Sequence, residues 1–452
     1  MKIIISGGGI GGLAAALACL ARGIEVIVYE QADELRELGV GLQLTPEASG
    51  VLIGLGLAER LAATAVPLTG AVYLSRQGGV VWREPLGTAA GSDTPHLAVH
   101  RGRLLRMLVD AVRAKCGARA IRAGAQVSQI TEDADAVAVV LKSRDGRQLG
   151  TDKADALVAA EGIHSAQRRK LTPKEGPPRW SGVMLWRGAL ELPQFLDGET
   201  LIVAGGIGTK CVVMPAAVGA KSGLQLMHWM VGARIGEPGR PPHREDWVRP
   251  GRLADVAPHI AKLAIPGFDV TALIKGSPSF WEYPLCDRDP LARWTEGRVT
   301  LLGDAAHQIM PVGPDAVSEA ILDAAALADC LAGARDAGAS VVDGLTAYER
   351  RRREASAVAL LARRTGGIEQ VLDRVEERAP DGFTDVETVM PHAERAAVVA
   401  AVKAKWLVAS GDTEPHELQT TQAFAGPEGV ATIAATDFQH AEATSDAAGG
   451  QV

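Results

Sequence analysis

Apolar and polar positions alternate along the chain in a pattern that predicts its elements. Lys2–Ser6 is a short β-branched run, the pattern of a buried parallel strand. Glycines follow, and an Ala- and Leu-rich stretch then predicts a helix to about Ala21. Arg22-Gly23 ends it, and Ile24–Tyr29 predicts the next strand, completing a βαβ unit. Arg101–Ala114 has helical periodicity, Ala136–Lys142 alternates as a strand, and Asp145-Gly146 marks a hairpin turn. Ala156–Ala160 is another buried strand. From about Gly182 to Tyr283 the chain is rich in strand-like runs, among them Leu201–Ala204, Cys211–Met214 and Leu224–Val231. A Pro-, Gly- and Arg-rich loop, Gly236–Arg244, interrupts them, and the composition suits a sheet that covers a pocket. Val299–Leu302 returns to a buried strand, and Ser318–Ala334 and Leu345–Arg364 predict long helices. Beyond about Ser410 the sequence turns to Thr, Ala, Gly and Gln with little periodicity, the pattern of a disordered tail.

The glycines after the first strand read Gly7-Gly8-Gly9-Ile10-Gly11-Gly12, so that Gly7, Gly9 and Gly12 satisfy G-x-G-x-x-G. The spacing alone is weak. Here it follows a strand, opens a helix and precedes a second strand ending in an acid, Glu30, which is the full dinucleotide-binding fingerprint. Gly7 permits the tight turn, Gly9 lets a pyrophosphate approach the backbone, and Gly12 lets the helix pack closely on the sheet. The helix start, Ile10 and Gly11 included, offers free N–H groups and the positive end of a dipole to phosphates. Glu30 is placed to accept hydrogen bonds from ribose hydroxyls. The motif does not separate NAD from FAD.

A second motif, Gly303-Asp304-Ala305-Ala306-His307, sits at the end of the strand Val299–Leu302. At this point the sequence resembles the para-hydroxybenzoate hydroxylase-type (group A) FAD-dependent aromatic monooxygenases. It is nearest to their phenazine-1-carboxylate, salicylate and 3-hydroxybenzoate hydroxylase branch. The resemblance runs from Met1 to roughly Lys405 and rests on LGVGLQLTPEA, VHRGRL, EGIHSA, MLWRGALELPQFLDGETLIVA and YPLCDRDPLARWTEGRVTLLGDAAH. It implies an α/β fold: a Rossmann-like (GR2-type) FAD-binding domain, an inserted and mostly β-sheet substrate domain, and C-terminal helices. The expected divisions are 1–180 and 286–365 for the two parts of the FAD-binding domain and 181–285 for the substrate domain. Residues 366–408 make a helical region and 409–452 the tail.

The resemblance also assigns roles. Asp304 would bind the ribitol and pyrophosphate region of FAD, Arg101 would contact the cofactor, and Val40 falls where the backbone passes the flavin. NADH or NADPH would reduce the flavin, reduced flavin would trap O2 as a C4a-hydroperoxide, and the electrophilic oxygen would pass to an aromatic ring. Such an intermediate needs a dry pocket. His228 shares a strand face with Leu224, Leu226 and Met230 and is a candidate base or carboxylate-orienting group, although such a residue is more often a satisfied core or interface histidine. Gln43, Trp186 and Pro311 are further substrate-side candidates, and Arg187 adjoins Trp186.

Two stretches depart from the family pattern. Its Gly-Ala-Asp-Gly reads Ala159-Ala160-Glu161-Gly162 here, which puts reduction by nicotinamide nucleotides in question. Its Pro-x-Gly-Ser-Asn-Gly-Ala-Ser-Gln-Ala reads Pro311-Val312-Gly313-Pro314-Asp315-Ala316-Val317-Ser318-Glu319-Ala320. In the family, backbone N–H groups at this helix start hold the flavin O2, which marks Ala316 and Val317 as cofactor-binding. Pro314 has no N–H. Asp315 either complements the helix dipole or faces the ring, where it would oppose an anionic reduced flavin by about 3 kcal/mol at ~5 Å and an effective dielectric of ~20. These departures keep open an alternative, a divergent flavoprotein of natural-product biosynthesis using the same fold for another oxidation or a non-redox cyclisation. A flavin-retaining binding protein without turnover is a third reading.

Composition narrows the rest. A net charge of −7 argues against a nucleic-acid partner. The one basic run, Arg350–Arg353, reads as a solvated helix face beside Glu349 and Glu354. Five scattered cysteines have neither metal-ligand nor redox spacing and predict free thiols in a reducing compartment. No metal site is expected. With no signal-peptide pattern and no membrane-spanning stretch, the expectation is a cytoplasmic enzyme, monomeric or homodimeric, taking a small aromatic substrate and O2.

Overall fold

A computed structural model describes residues 1–35 and 39–410. Its first sheet has six strands in the order Thr295–Glu296, Val299–Leu301, Ala156–Ala159, Lys2–Ser6, Glu25–Tyr29 and Ile121–Arg122. All neighbours are parallel except the first pair. Ile3, Ile4 and Ile5 are fully buried in a core shared with Leu13 and Leu17 of helix Ile10–Ala21, Leu104 and Leu108 of helix Arg101–Cys116, and Ile321 and Leu327 of helix Asp315–Asp336. Burial on both faces explains the uninterrupted apolar runs. The register matters for function. Ser6 lies beside Ala159, and Ala159 beside Leu301, so three neighbouring strands end at one level. The loops that begin at Gly7, Ala160 and Leu302 therefore emerge side by side, outside the carboxyl ends of a parallel sheet, where such folds bind ligands.

The second large sheet has seven strands. Their order is Phe280–Asp287, Arg179–Pro193, Leu224–Arg234, Thr209–Val218, Thr200–Gly206, Gly70–Leu74 and Val80–Pro85. Strand Thr200–Gly206 pairs in parallel with Gly70–Leu74, which brings the hairpin 70–85 into this sheet. Residues 1–180 are thus not all part of the nucleotide-binding unit: the last two strands at one end of the substrate-side sheet come from within them. Nothing in the local sequence marks this, because the pairing partner, Thr200–Gly206, is far along the chain.

Alternation splits the sheet's residues between two environments. On one face Met184, Trp186, Ile202, Val213, Met227 and Trp229 pack with Val256 and Ile260 of helix Leu253–Ile260 and Leu273 of helix Val270–Gly276. The opposite face carries Leu185, Met230, Tyr283 and Leu285 as a separate cluster. Farther along the sheet, Tyr73, Val81, Leu201 and Val203 pack against Val371, Leu372 and Val375 of helix Gln370–Arg378 and Val399 and Val402 of helix His392–Ser410. The expected tail lies outside the described residues from 411 onward; residues 409 and 410 close the last helix. Among the described residues no helix is long and apolar enough to cross a membrane.

Candidate active site

Backbone geometry builds the first wall. Gly7 has φ +115°, and a Cβ there would fall 2.2 Å from the Ala160 carbonyl oxygen. A Cβ at Gly12 would fall 2.1 Å from the Gly7 carbonyl oxygen, so only glycine closes the turn. At Gly9 a Cβ would meet nothing within 4 Å, and that open side faces the cavity. Gly9 caps helix Ile10–Ala21 without a side-chain bond, and the first turn carries no acid. The N–H groups of Ile10, Gly11 and Gly12 have no carbonyl partner within the helix, which makes a ready anion site. Glu30 stands at the end of its strand, its Oε2 accepting from Gly8 N at 2.7 Å and its Oε1 from Ala32 N at 2.8 Å.

The Gly303-Asp304 turn faces this wall. Gly303 has φ +61°, and its N–H donates to Asp323 Oδ2 at 3.1 Å. Burial pushes the Asp304 carboxyl up to about 6, although His307 and Arg101 nearby pull it down. Arg101 opens helix Arg101–Cys116, and its N–H donates to the Val40 carbonyl at 3.0 Å, so Val40, Arg101 and Asp304 share one region of the cavity. Behind the turn, Asp323 accepts from Arg352 Nε at 2.9 Å and pairs with His307, and Arg352 also holds Glu319, as does Ser356 Oγ at 3.1 Å. Arg352 is therefore an internal strut and not part of a solvated face. The run of four arginines hides it because helical periodicity turns only one of them inward.

The cavity enclosed by these loops and the second sheet has a volume of about 890 Å³. Arg187, Val212, Met214, His228, Met230 and Tyr283 form its sheet wall, with Gln43, Pro311, Ala316 and Val317 across from them. Gly41 lets the two units meet here, since a Cβ would fall 2.6 Å from that of His228. Trp186 does not reach the cavity. It points to the opposite face, where its ring stacks on His259 at 5.6 Å and its Nε1 donates to Glu282 Oε2 at 3.2 Å. Strand alternation assigns the wall to its neighbour Arg187 instead.

Arg187 is the most informative side chain of the wall. Its guanidinium lies 5.2 Å from the Tyr283 ring centroid and its Nε 3.3 Å from Met230 Sδ. Among the described residues no carboxylate pairs with it. Burial lowers its pKa, with Tyr283 working the other way. His228 Nδ1–H donates to the Gly188 carbonyl at 3.0 Å, which leaves Nε2 as an acceptor. Burial, with Arg187 adding to it, pushes the ring down to about 3, so it is neutral. Gln43 Oε1 is 3.1 Å from His96 Nε2.

Residues 1–362 match the family described as FAD binding domain. The chain belongs to this family. It is 40% identical over 367 residues to phenazine 1,6-dicarboxylic acid hydroxylase PhzS of Lysobacter antibioticus, covering 80% of this chain and 89% of that protein. It is 32% identical over 336 residues to 3-hydroxybenzoate 6-hydroxylase 1 of Aquipseudomonas alcaligenes, covering 72% and 79%. The fold matches that of Klebsiella pneumoniae HpxO complexed with FAD and uric acid with a TM-score of 0.67 at 23% identity, over 90% of this chain and 97% of that one. The chain is an FAD-dependent monooxygenase of the aromatic hydroxylase type, with NAD(P)H as reductant.

FAD suits the cavity that the residues make. A glycine turn with free N–H groups, an acid at the second strand end, Asp304, Arg101 and a second helix N-terminus line one continuous space. Both departures from the family pattern are accounted for locally. Glu161 uses its extra methylene to cap helix Ala166–Leu171: Oε2 accepts from Ser165 Oγ at 2.8 Å and Ala166 N at 2.9 Å, and Oε1 from Ser6 Oγ at 2.9 Å. Pro314 caps helix Asp315–Asp336 from outside, so its missing N–H lies ahead of the free N–H groups of Asp315, Ala316 and Val317. Asp315 does not face the cavity with an open charge. Its Oδ2 accepts from Arg363 Nε at 2.7 Å and from Arg363 Nη2. Sequence reasoning missed Arg363 because it lies 48 residues on, at the end of another helix.

Proposed function

We propose that this monooxygenase hydroxylates an aromatic or heteroaromatic acid whose carboxylate is held by Arg187. The observation behind this reading is a half-buried guanidinium on the cavity wall that has no carboxylate partner among the described residues. A charge removed from water is costly unless paired, and an anionic substrate supplies the pair. The relatives' names, a phenazine dicarboxylic acid hydroxylase and a hydroxybenzoate hydroxylase, are of the same chemical class.

Gly7, Gly9, Ile10, Gly11 and Gly12 would hold the FAD pyrophosphate through backbone N–H groups, and Glu30 the adenosine ribose. Asp304 and Arg101 would hold the ribitol side, Val40 would pass the ring, and the N–H groups of Ala316 and Val317 would meet the flavin O2. When bound, FAD supplies electron transfer from NADH or NADPH and the O2 activation that places an oxygen on an aromatic ring. The chain's own part is positioning and dryness. Val212, Met214 and Met230 make an apolar wall that excludes water. His228 Nε2 accepts a hydrogen bond from a ring hydroxyl and orients it; a ring held neutral down to about pH 3 is a weak base at neutral pH. Gln43 and Pro311 would border the substrate from the cofactor side. The unpaired state of all five cysteines supports the cytoplasmic placement.

The test uses the FAD-loaded protein and compares NADH or NADPH oxidation with phenazine-1-carboxylate and 3-hydroxybenzoate against phenazine and phenol. The acids should stimulate oxidation and yield a hydroxylated product. Equal stimulation by the neutral rings would remove the carboxylate reading.

A further inference from the structure

From the ion pair at the start of helix Asp315–Asp336 we infer that Arg363 is a redox-tuning residue: it neutralises Asp315 so that this helix end stays electropositive toward the bound flavin. The inference rests on the reading that the cavity takes FAD with its ring near Ala316 and Val317.

Three observations meet at this point. The residues on either side of Pro314-Asp315, namely Gly313, Ala316 and Val317, line the cavity, so the helix N-terminus is part of its wall. An aligned helix carries about half a positive charge at that end, where a negative charge on reduced flavin is stabilised. Asp315 occupies the first helical position and, taken alone, would more than cancel this half charge. Arg363, at the end of helix Val341–Arg364, removes the conflict with two nitrogens on one carboxylate oxygen. Its side chain is 5% exposed, against 23% for Asp315, so the compensating cation is the more deeply placed of the two.

Glu369 also acts on Arg363, and its Oε1 is engaged by Gly367 N at 2.7 Å. His96, which feels both Asp315 and Glu47, is pushed by burial down to about 4 and is neutral near pH 7. Tyr73 is pushed far up by burial and is likewise uncharged. Among the described residues, the charges acting on one another at this helix start are those of Asp315 and Arg363, with Glu369 behind them. An ordinary structural salt bridge would be indifferent to the redox state of the cavity's ligand. A compensating pair in the wall predicts opposite shifts when either half is removed.

The experiment measures the two-electron midpoint potential of bound FAD by equilibration with a reference dye under anaerobic conditions. Wild type, Arg363→Met, Asp315→Asn and the double variant are compared, each after its FAD content is read from the visible spectrum. Arg363→Met should make the flavin harder to reduce by at least tenfold in equilibrium constant, about 30 mV for a two-electron couple. Asp315→Asn should shift the potential in the positive direction, and the double variant should return close to wild type. Flavin-loaded variants that all share the wild-type potential would overturn the inference, as would shifts of one sign in both single variants. Should Arg363→Met fail to fold, Asp315→Asn decides alone, and an unchanged potential in it overturns the proposal. A colourless wild-type protein that takes up no FAD would be a failure of the cofactor reading instead, and the spectrum separates the two cases.

Discussion

The two walls of the cavity are made in different ways. The nucleotide wall is built by backbone. Gly7, Gly9 and Gly12 act through what they lack, and each requirement is visible as a distance to a neighbouring carbonyl or to open space. The substrate wall is built by side chains chosen by strand parity, in which Arg187 faces the cavity and Trp186, one residue earlier, faces a core. A backbone wall tolerates almost no change at its glycines and says little about the ligand beyond its phosphates. A side-chain wall can change its residues within the same fold, and it is where substrate identity is written.

This contrast can be broken most severely within the glycine turn. Gly12→Ala places a methyl group 2.1 Å from a carbonyl oxygen. It should cost about 1–3 kcal/mol or more through overpacking and abolish FAD retention. Gly9→Ala meets no protein atom, so its melting temperature should stay at the wild-type value while FAD affinity falls. Thermal unfolding of the apoproteins together with flavin titration separates the two; equal destabilisation by both would mean that Gly9 is not held open for a ligand.

The substrate wall should respond next most strongly. Arg187→Met removes a half-buried charge with no carboxylate partner among the described residues, so the ligand-free protein should gain or keep stability, while kcat/KM for an aromatic acid falls by about 30–5,000-fold, the equivalent of ~2–5 kcal/mol. Trp186→Phe should do the reverse, losing on the order of 1 kcal/mol of stability with little change in the preference for acids. Steady-state kinetics beside denaturant unfolding give both numbers. A loss of acid preference in Trp186→Phe as large as in Arg187→Met would refute the parity assignment.

The nucleotide wall was legible in the sequence because its signals are local. A run of glycines, the strand before it and the acid Glu30 at the end of the next strand carry the reading, and the parallel register that aligns Gly7, Ala160 and Leu302 follows from buried apolar runs. The substrate wall was legible only in part. Alternation placed His228 and Met230 on one face, but choosing between Trp186 and Arg187 needs the antiparallel pairing of Arg187 with Met230, a tertiary fact. The same holds for the hairpin 70–85, whose partner strand starts at Thr200, and for Asp315, whose charge cannot be judged without Arg363. Glu161 looked like a defect because its extra length has a use only when Ser6 and the start of helix Ala166–Leu171 are beside it.

The effect confined to the narrowest range of conditions is the substrate wall's response to acid pH. His228 is 3% exposed, and burial with the nearby Arg187 holds its ring at about 3, well below the ordinary histidine value of about 6.5. A depressed histidine pKa means that the unfolded chain takes up a proton the folded chain refuses. The stability gained by keeping the ring neutral is present above pH ~6.5 and is lost as pH falls below it, at up to about 1.4 kcal/mol per pH unit until the folded ring itself protonates near 3. His228→Gln removes the titrating group and keeps an amide that can donate to the Gly188 carbonyl. The variant should therefore lose less stability than wild type between about pH 6 and pH 4, with the two curves parallel above about pH 7. The glycine wall offers no such group, so Gly9→Ala should track wild type across the whole range. Urea unfolding at half-unit pH steps measures the difference. Parallel curves for wild type and His228→Gln through the acid range would mean that the ring is solvated and the wall wetter than its burial indicates.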